Sequence, residues 1–293
     1  MRQSPRHPLA EVFGHAPDDF SERAQRFRRN RLCPFNNKVP SCTKDKAKNP
    51  LGVCSVHTKD GPVITCPIRF REDWRIADDA AEFFFPDGAS WTSLTEVRLA
   101  DRDGKSAGNI DLVLAAYDQT GQVYDFGSLE IQAVYISGNV RDPFARYMSD
   151  CRIHADMDWT REPNYPRPDF LSSSRKRLAP QLMFKGNILH DWKKKMAVAI
   201  DRQFFNTLPK LQSANPQEAE VTWLIYDLVF DENTLRYVLQ KTEVVYTLFA
   251  DALTRITMPN VGCIDDFMRR LQEKVDEKLE SPPINSVIDN PLG

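Results

Sequence analysis

Apolar residues recur along this chain with two periods. From Gly108 to Val134 (GNIDLVLAAYDQTGQVYDFGSLEIQAV) they form β-branched and aliphatic blocks on either side of a polar, glycine-containing turn at Asp118 to Gln122. That pattern predicts two strands joined by a hairpin. Ser93 to Ala100 alternates like a further strand, and Glu218 to Phe230 with Thr234 to Tyr246 predicts another pair across the turn Asp231, Glu232, Asn233. Helical spacing covers Asp18 to Arg31, Arg71 to Phe85, Arg141 to Ile153, Thr247 to Thr257 and Asp265 to Glu280. Leu178 to Leu208 predicts one or two helices, the second carrying Ile188, Leu189, Trp192, Met196, Ile200, Phe204 and Phe205. Between these elements, His154 to Ser174 reads as a long loop, and the final residues, SPPINSVIDNPLG, as a Pro-rich tail.

Composition narrows the class without naming a function. A chain of 293 residues can form one large or two modest domains. Its 41% apolar and 27% charged residues are ordinary for a globular protein and argue against wholesale disorder. The net charge of −2 means that a nucleic-acid partner must be met by a local basic surface. The longest apolar runs, such as Val221 to Phe230, are too short for a bilayer span, so no membrane partner is expected. The opening MRQSPRHPLAEVFGH has no hydrophobic core of a secretory signal, so the expected location is cytoplasmic. There, six cysteines are expected as thiols or metal ligands instead of disulfides. No internal repeat, glycine-rich phosphate loop or HExxH motif is present.

The hairpin carries the candidate chemistry, because acids interrupt its apolar runs. Asp111 lies between Ile110 and Leu112, and Glu130 between Leu129 and Ile131, where an ionised carboxylate is costly unless paired. Strand alternation puts Glu130 and Gln132 on one face and Leu129, Ile131 and Ala133 on the other; pairing of the two strands brings Asp111 to the polar face. Converging oxygens of this kind suit a hard cation such as magnesium and metal-assisted phosphodiester hydrolysis. The alternative is a solvated strand face with a surface carboxylate pair. Glu96, fifteen residues before Asp111, either assists such a site or is plain surface. Asp, eighteen residues, then Glu-x-Gln resembles the PD-(D/E)xK nuclease active site in its variant with Gln in place of Lys.

Two other stretches stand out. Cys33, Cys42, Cys54 and Cys66 are separated by eight, eleven and eleven residues in a loop-rich segment with few apolar residues. Four thiolates suit tetrahedral zinc or iron, although the C-x2-C knuckles usual in such sites are absent; buried unconnected thiols are the alternative. From Trp159 to Lys195 basic residues, among them Arg175, Lys176, Arg177, Lys193 and Lys194, interleave with Tyr165, Phe170, Phe184 and Trp192. Such residues suit phosphate and base contact, but a charge run is equally a solvated face.

Together these pieces resemble the NotI family of type II restriction endonucleases. The residues that carry the likeness are LAEVFGH at Leu9 to His15, the ordered cysteines Cys33, Cys42, Cys54 and Cys66, Glu96, Asp111, and GSLEIQ at Gly127 to Gln132, followed by a helix at Ile188 to Phe205, the strand VTWLIYDLVF and a charged final helix. The resemblance implies an α/β (α+β) fold with a PD-(D/E)xK core, a mixed central sheet flanked by helices, plus a small four-cysteine module holding iron, with zinc as the other candidate. It implies magnesium-dependent, site-specific cleavage of double-stranded DNA at a palindrome by a homodimer, and admits a cognate DNA methyltransferase as partner. Asp111 and Glu130 would ligate magnesium, Gln132 would orient water without acting as a base, and Glu96 would be an accessory acid. The expected division is residues 1–70 for the cysteine module, 71–280 for the nuclease domain with a basic DNA-recognition region at 141–195, and 281–293 for the tail. That inserted region departs from the family, so no recognition sequence transfers. A catalytically silent DNA-binding protein with the same cysteine module is the alternative from another class, and a metal-stabilised interaction protein without DNA affinity is a third.

Overall fold

The computed structural model describes residues 6–36, 39–46, 48–258 and 261–280. The described residues up to 257 form one compact unit and those from 258 onward a second. In the first unit, β1 (Leu9–Val12), β2 (Val53–Thr58) and β3 (Gly61–Ile64) make a small antiparallel sheet in that order, with helix α1 (Glu22–Arg29) following β1. Ser21 caps α1, accepting the amide of Ala24, and its last turn carries Arg26, Arg28 and Arg29, charges that suit the negative end of the helix dipole.

The larger sheet holds the middle of the chain. After α2 (Arg75–Phe84) come β4 (Trp91–Ala100), β5 (Ser106–Tyr117) and β6 (Val123–Gln132), an antiparallel meander that confirms the expected hairpin and its turn. The chain then passes through α3 (Arg141–Ser149) and a continuous helix over residues 170–191, α4, before β7 (Met196–Asp201). Strands β8 (Val221–Asp231) and β9 (Arg236–Thr247) and helix α5 (Phe249–Thr257) complete the unit. The sheet order is β9-β8-β7-β6-β5-β4. β7 runs parallel to both β6 and β8, and the remaining pairs are antiparallel, so the sheet is mixed. A parallel neighbour demands a crossover, and α3 and α4 lie in the one between β6 and β7.

The two sheet faces bury different helices. Leu112, Leu114, Leu129, Ile131, Ala197, Ala199 and Leu224 pack on Ile76, Ala77, Ala80, Ala81 and Phe84 of α2. Val198, Ile200, Trp223 and Ile225 pack on Leu178, Leu182 and Leu189 of α4 and Phe249 and Ala252 of α5. This is a mixed α+β architecture with a central sheet flanked by helices, consistent with a restriction-endonuclease-like fold.

Two expectations are corrected. The helix expected over Ile188 to Phe205 ends at Asp191, and Met196–Asp201 is the central strand β7. All six residues of β7 are buried, because helices cover both faces; a strand in that position reads as a continuous apolar run, which the spacing of Met196 and Ile200 mimics as a helix. Its approach is a helix stop made without glycine: Lys193 sits at φ 55, its amide donates to His190 O (2.9 Å), and the amide of Lys194 donates to Leu189 O (2.8 Å). The second correction concerns the long loop, which stops at a short strand, Arg167–Asp169, and yields to α4 from Phe170. Ser172 to Arg177 are therefore helical, started by Asp169, whose carboxylate accepts the Ser172 amide (2.9 Å).

The second unit contains the helix α6 (Ile264–Glu280), which opens with Asp265 and Asp266 and carries Lys278 in its last turn. The tail at 281–293 lies outside the described residues. Among the described residues, no helix is long and apolar enough to cross a membrane.

Candidate active site

The site forms where β5 and β6 part. Their ladder runs from Tyr117 opposite Val123 to Leu112 opposite Leu129 and goes no further; Asp111 and Glu130 are next in line. There Asp111, half-buried, uses its carboxylate in place of a ladder bond, Oδ2 accepting the amide of Ile131 at 2.9 Å. Because Leu129 and Ile131 face α2, Ser128, Glu130 and Gln132 face the α4 side, and all three are fully buried.

Glu130 and Gln132 are met by two residues of α4. Lys185 Nζ donates to Glu130 Oε2 at 2.7 Å, and Gln132 Nε2 donates to Gln181 Oε1. Gln181 and Lys185 are four apart and so share a helix face. The helix is wound with wide π turns at Ser174–Leu178 and Leu182–Gly186, on either side of Pro180, whose missing N–H interrupts the α ladder. It is pinned over the end of β6 by Ser173, whose Oγ accepts the Tyr135 amide at 2.9 Å. Gly186 permits close approach to α5, since a Cβ there would overlap the Phe249 ring.

Each strand residue keeps one atom in reserve. Glu130 Oε1 and Gln132 Oε1 are buried without a hydrogen-bond partner. Burial, and then the neighbouring Asp111 carboxylate, push the Glu130 carboxyl up to about 8, against the opposing pull of Lys185. An orphaned carboxylate oxygen beside a second carboxylate is a donor set that fits a divalent cation: magnesium takes one or two carboxylates and completes its shell with water and substrate phosphate. Among the described residues, no group of three or more His, Cys, Asp or Glu is arranged to hold a metal.

The other expected residues fall in different places. The pairs Thr95 with Leu112 and Val97 with Ile110 put Glu96 across from Asp111, but Glu96 is exposed and its backbone sits at φ 57, so the side chain leaves the ladder. Arg175 and Lys176 are exposed on α4, Arg177 is half-buried, and Lys193 is exposed at the end of that helix. Lys194 Nζ instead donates to Asp125 Oδ1 on β6 at 2.6 Å. Cys42, Cys54 and Cys66 are buried and Cys33 is half-buried. Burial pushes the Cys33 thiol up to about 12, with Cys66 and Cys42 near enough to add to it, and raises Cys42 and Cys54 as well. The thiols thus influence one another electrostatically, but among the described residues they are not arranged as a ligand shell. Neither Gln181 nor Lys185 is singled out by the sequence as a catalytic-site residue, because Lys185 reads as one cation of the basic stretch and Gln181 as an ordinary helix residue within it.

The sequence matches the family described as restriction endonuclease NotI over residues 18–239, about three quarters of the chain. No curated protein matches it. With that match laid over a carboxylate pair at the parting of two strands, the chain belongs to the NotI restriction endonuclease family and is a site-specific deoxyribonuclease.

Proposed function

We propose that this enzyme is a type II restriction endonuclease with a PD-(D/E)xK core, hydrolysing both strands of a palindromic site in double-stranded DNA with magnesium as cofactor. The observation that carries the reading is Glu130 Oε1, a buried carboxylate oxygen with no partner, beside Asp111 on the same face of the sheet. Asp111 and Glu130 are the residues that would hold magnesium. When bound, the ion lowers the pKa of a coordinated water and offsets charge on the phosphate.

The chain's own groups supply the rest. Asp111 is fixed through Oδ2 to the Ile131 amide, and its carboxylate lies near enough to Glu130 to raise that carboxyl's pKa. Gln132 has no titratable proton near neutral pH and so cannot be the base; its unpartnered Oε1 can accept a hydrogen bond from the attacking water, with Nε2 anchored on Gln181 setting the direction. Burial of Glu130 and Gln132 keeps bulk water from competing. Glu96, exposed on β4, would be the accessory acid. Arg175, Lys176, Arg177 and Lys193 offer cations to the DNA backbone. A homodimer follows from the chemistry, since two cuts in a palindrome need two sites related by the DNA's own two-fold. Cys33, Cys42, Cys54 and Cys66 make a donor set for one structural iron or zinc.

The test is digestion of sequence-diverse DNA with the wild-type protein in magnesium, followed by sequencing of the ends. One recurrent palindrome at the ends, lost in chelator, is the expected result. A salt-dependent DNA complex without cutting in magnesium or manganese would establish the catalytically silent DNA-binding reading instead.

A further inference from the structure

Gln132 leaves the catalytic face one positive charge short. Two ionised carboxylates and a phosphodiester carry three negative charges, a divalent cation brings two positive ones, and the phosphoryl oxygens gain more negative charge as water attacks. A site that meets this deficit with preorganised charge lowers the barrier.

The missing charge is within reach, on another element. Lys185 Nζ lies 2.7 Å from Glu130 Oε2, and its side chain is only 7% exposed. An ammonium is expensive to bury, and the neighbouring inward positions of α4, Leu182 and Leu189, are filled by apolar residues. The surroundings are shaped to admit it. Its stem passes over Gly108 of β5, where a Cβ would stand 3.5 Å from Lys185 Cε. The wide turn Leu182–Gly186 carries it, and Gln181 on the same helix face serves Gln132. Lys185 takes one oxygen of Glu130 and leaves the other, Oε1, unpartnered, so ammonium and cation need not exclude one another.

We propose that Lys185 presents to the scissile phosphate the ammonium that the Glu-x-Gln strand lacks, delivered from α4 instead of β6. The inference rests on the nuclease reading above. In the hydrolysis the water oxygen bonds to phosphorus, one ester P–O bond breaks, and a proton from the water ends on the departing oxygen. Lys185 keeps its proton throughout and stabilises the charge on the non-bridging oxygens. Before DNA arrives it neutralises Glu130 and competes electrostatically with the divalent cation.

Three proteins test this: wild type, Lys185→Met, and Lys185→Met with Gln132→Lys, each checked for folding by thermal melt and for DNA binding in calcium. Loss of one preorganised charge predicts a single-turnover cleavage rate in magnesium lower by about 10²- to 10³-fold in Lys185→Met. Restoring an ammonium from β6 predicts at least a roughly tenfold recovery in the double variant. Wild-type rates in Lys185→Met, or a double variant no faster than the single one, would overturn the proposal. Should Lys185→Met fail to fold, Lys185→Gln takes its place in the same comparison. Magnesium titration calorimetry of the DNA-free proteins, at a pH where Glu130 is ionised, supplies a readout independent of cutting. Tighter binding by Lys185→Met supports the placement of the ammonium, and unchanged affinity overturns it. A wild type that does not cut at all sinks the nuclease reading, while the calorimetric arm still decides the role of Lys185.

Discussion

Replacing Arg69 by Met removes the centre of a buried ionic network that ties the N-terminal strands to the far edge of the large sheet. Arg69 and Glu11 are both fully buried, and Arg69 Nε stands 2.9 and 3.0 Å from the two Glu11 oxygens. Its Nη1 reaches Glu72 Oε2 at 2.9 Å, its Nη2 donates to Tyr237 O on β9 at 2.9 Å, and the guanidinium lies over the Phe35 ring at 4.1 Å. Burial alone would pull the Arg69 pKa down, but the carboxylates of Glu11 and Glu72 outweigh it and raise it; burial in turn pushes the Glu11 carboxyl up against the pull of Arg69, so each group depends on the other to stay charged. With Met in its place, Glu11 keeps only the hydroxyl of Ser55, donated at 2.8 Å. Breaking a buried pair by removing one partner costs about 3–5 kcal/mol, against a total stability on the order of 5–15 kcal/mol. Glu11→Leu leaves Arg69 with Glu72 and Tyr237 O and costs less. The double change Glu11→Leu with Arg69→Met removes the unpaired charge and recovers about 1–3 kcal/mol relative to the sum of the singles. Urea denaturation at neutral pH, followed by tryptophan fluorescence, measures all four proteins. A loss below about 1 kcal/mol in Arg69→Met, or additive single effects, would refute the reasoning.

Three further outcomes are expected. Gly127→Ala on β6 places a methyl group into the Phe84 ring of α2 and should cost about 1–3 kcal/mol in a urea melt; a neutral change would mean that α2 can shift. His7, held by burial at a pKa of about 4 against an ordinary 6.5, stays neutral in the fold while the unfolded chain protonates. Its stabilisation is therefore complete above pH 6.5 and lost as pH falls toward about 4, worth roughly 3 kcal/mol at most, and His7→Gln should flatten the acid limb of the stability profile in that window. Metal analysis should find one iron or zinc per chain, with a chelator lowering the melting temperature; no bound metal and an unchanged melt would refute a centre at Cys33, Cys42, Cys54 and Cys66.

How much of this was readable in the sequence depended on whether a residue contradicted its local context. Asp111, Glu130 and Gln132 stand out as candidates because acids and an amide inside β-branched runs are anomalous wherever the strands pack. β7 was missed because Met196, Val198 and Ile200 satisfy both periods, and the helix stop before it uses Lys193 in a left-handed conformation where a glycine would have announced it. Lys185 reads in sequence only as one more cation of the basic stretch from Trp159 to Lys195, and only the docking of α4 on the sheet turns it inward. Lys194 shows the same dependence on tertiary context, since its partner Asp125 lies 69 residues away in sequence on β6.

The most direct test of the account is cleavage of plasmid DNA in magnesium by Glu130→Ala beside wild type, with DNA binding followed in parallel. Removing the carboxylate that holds the unpartnered oxygen should abolish cutting while the fold and the DNA complex persist, since Glu130 is fully buried whereas Arg175 and Lys176 of α4 are exposed. Undiminished cutting by Glu130→Ala would contradict the assignment of this site.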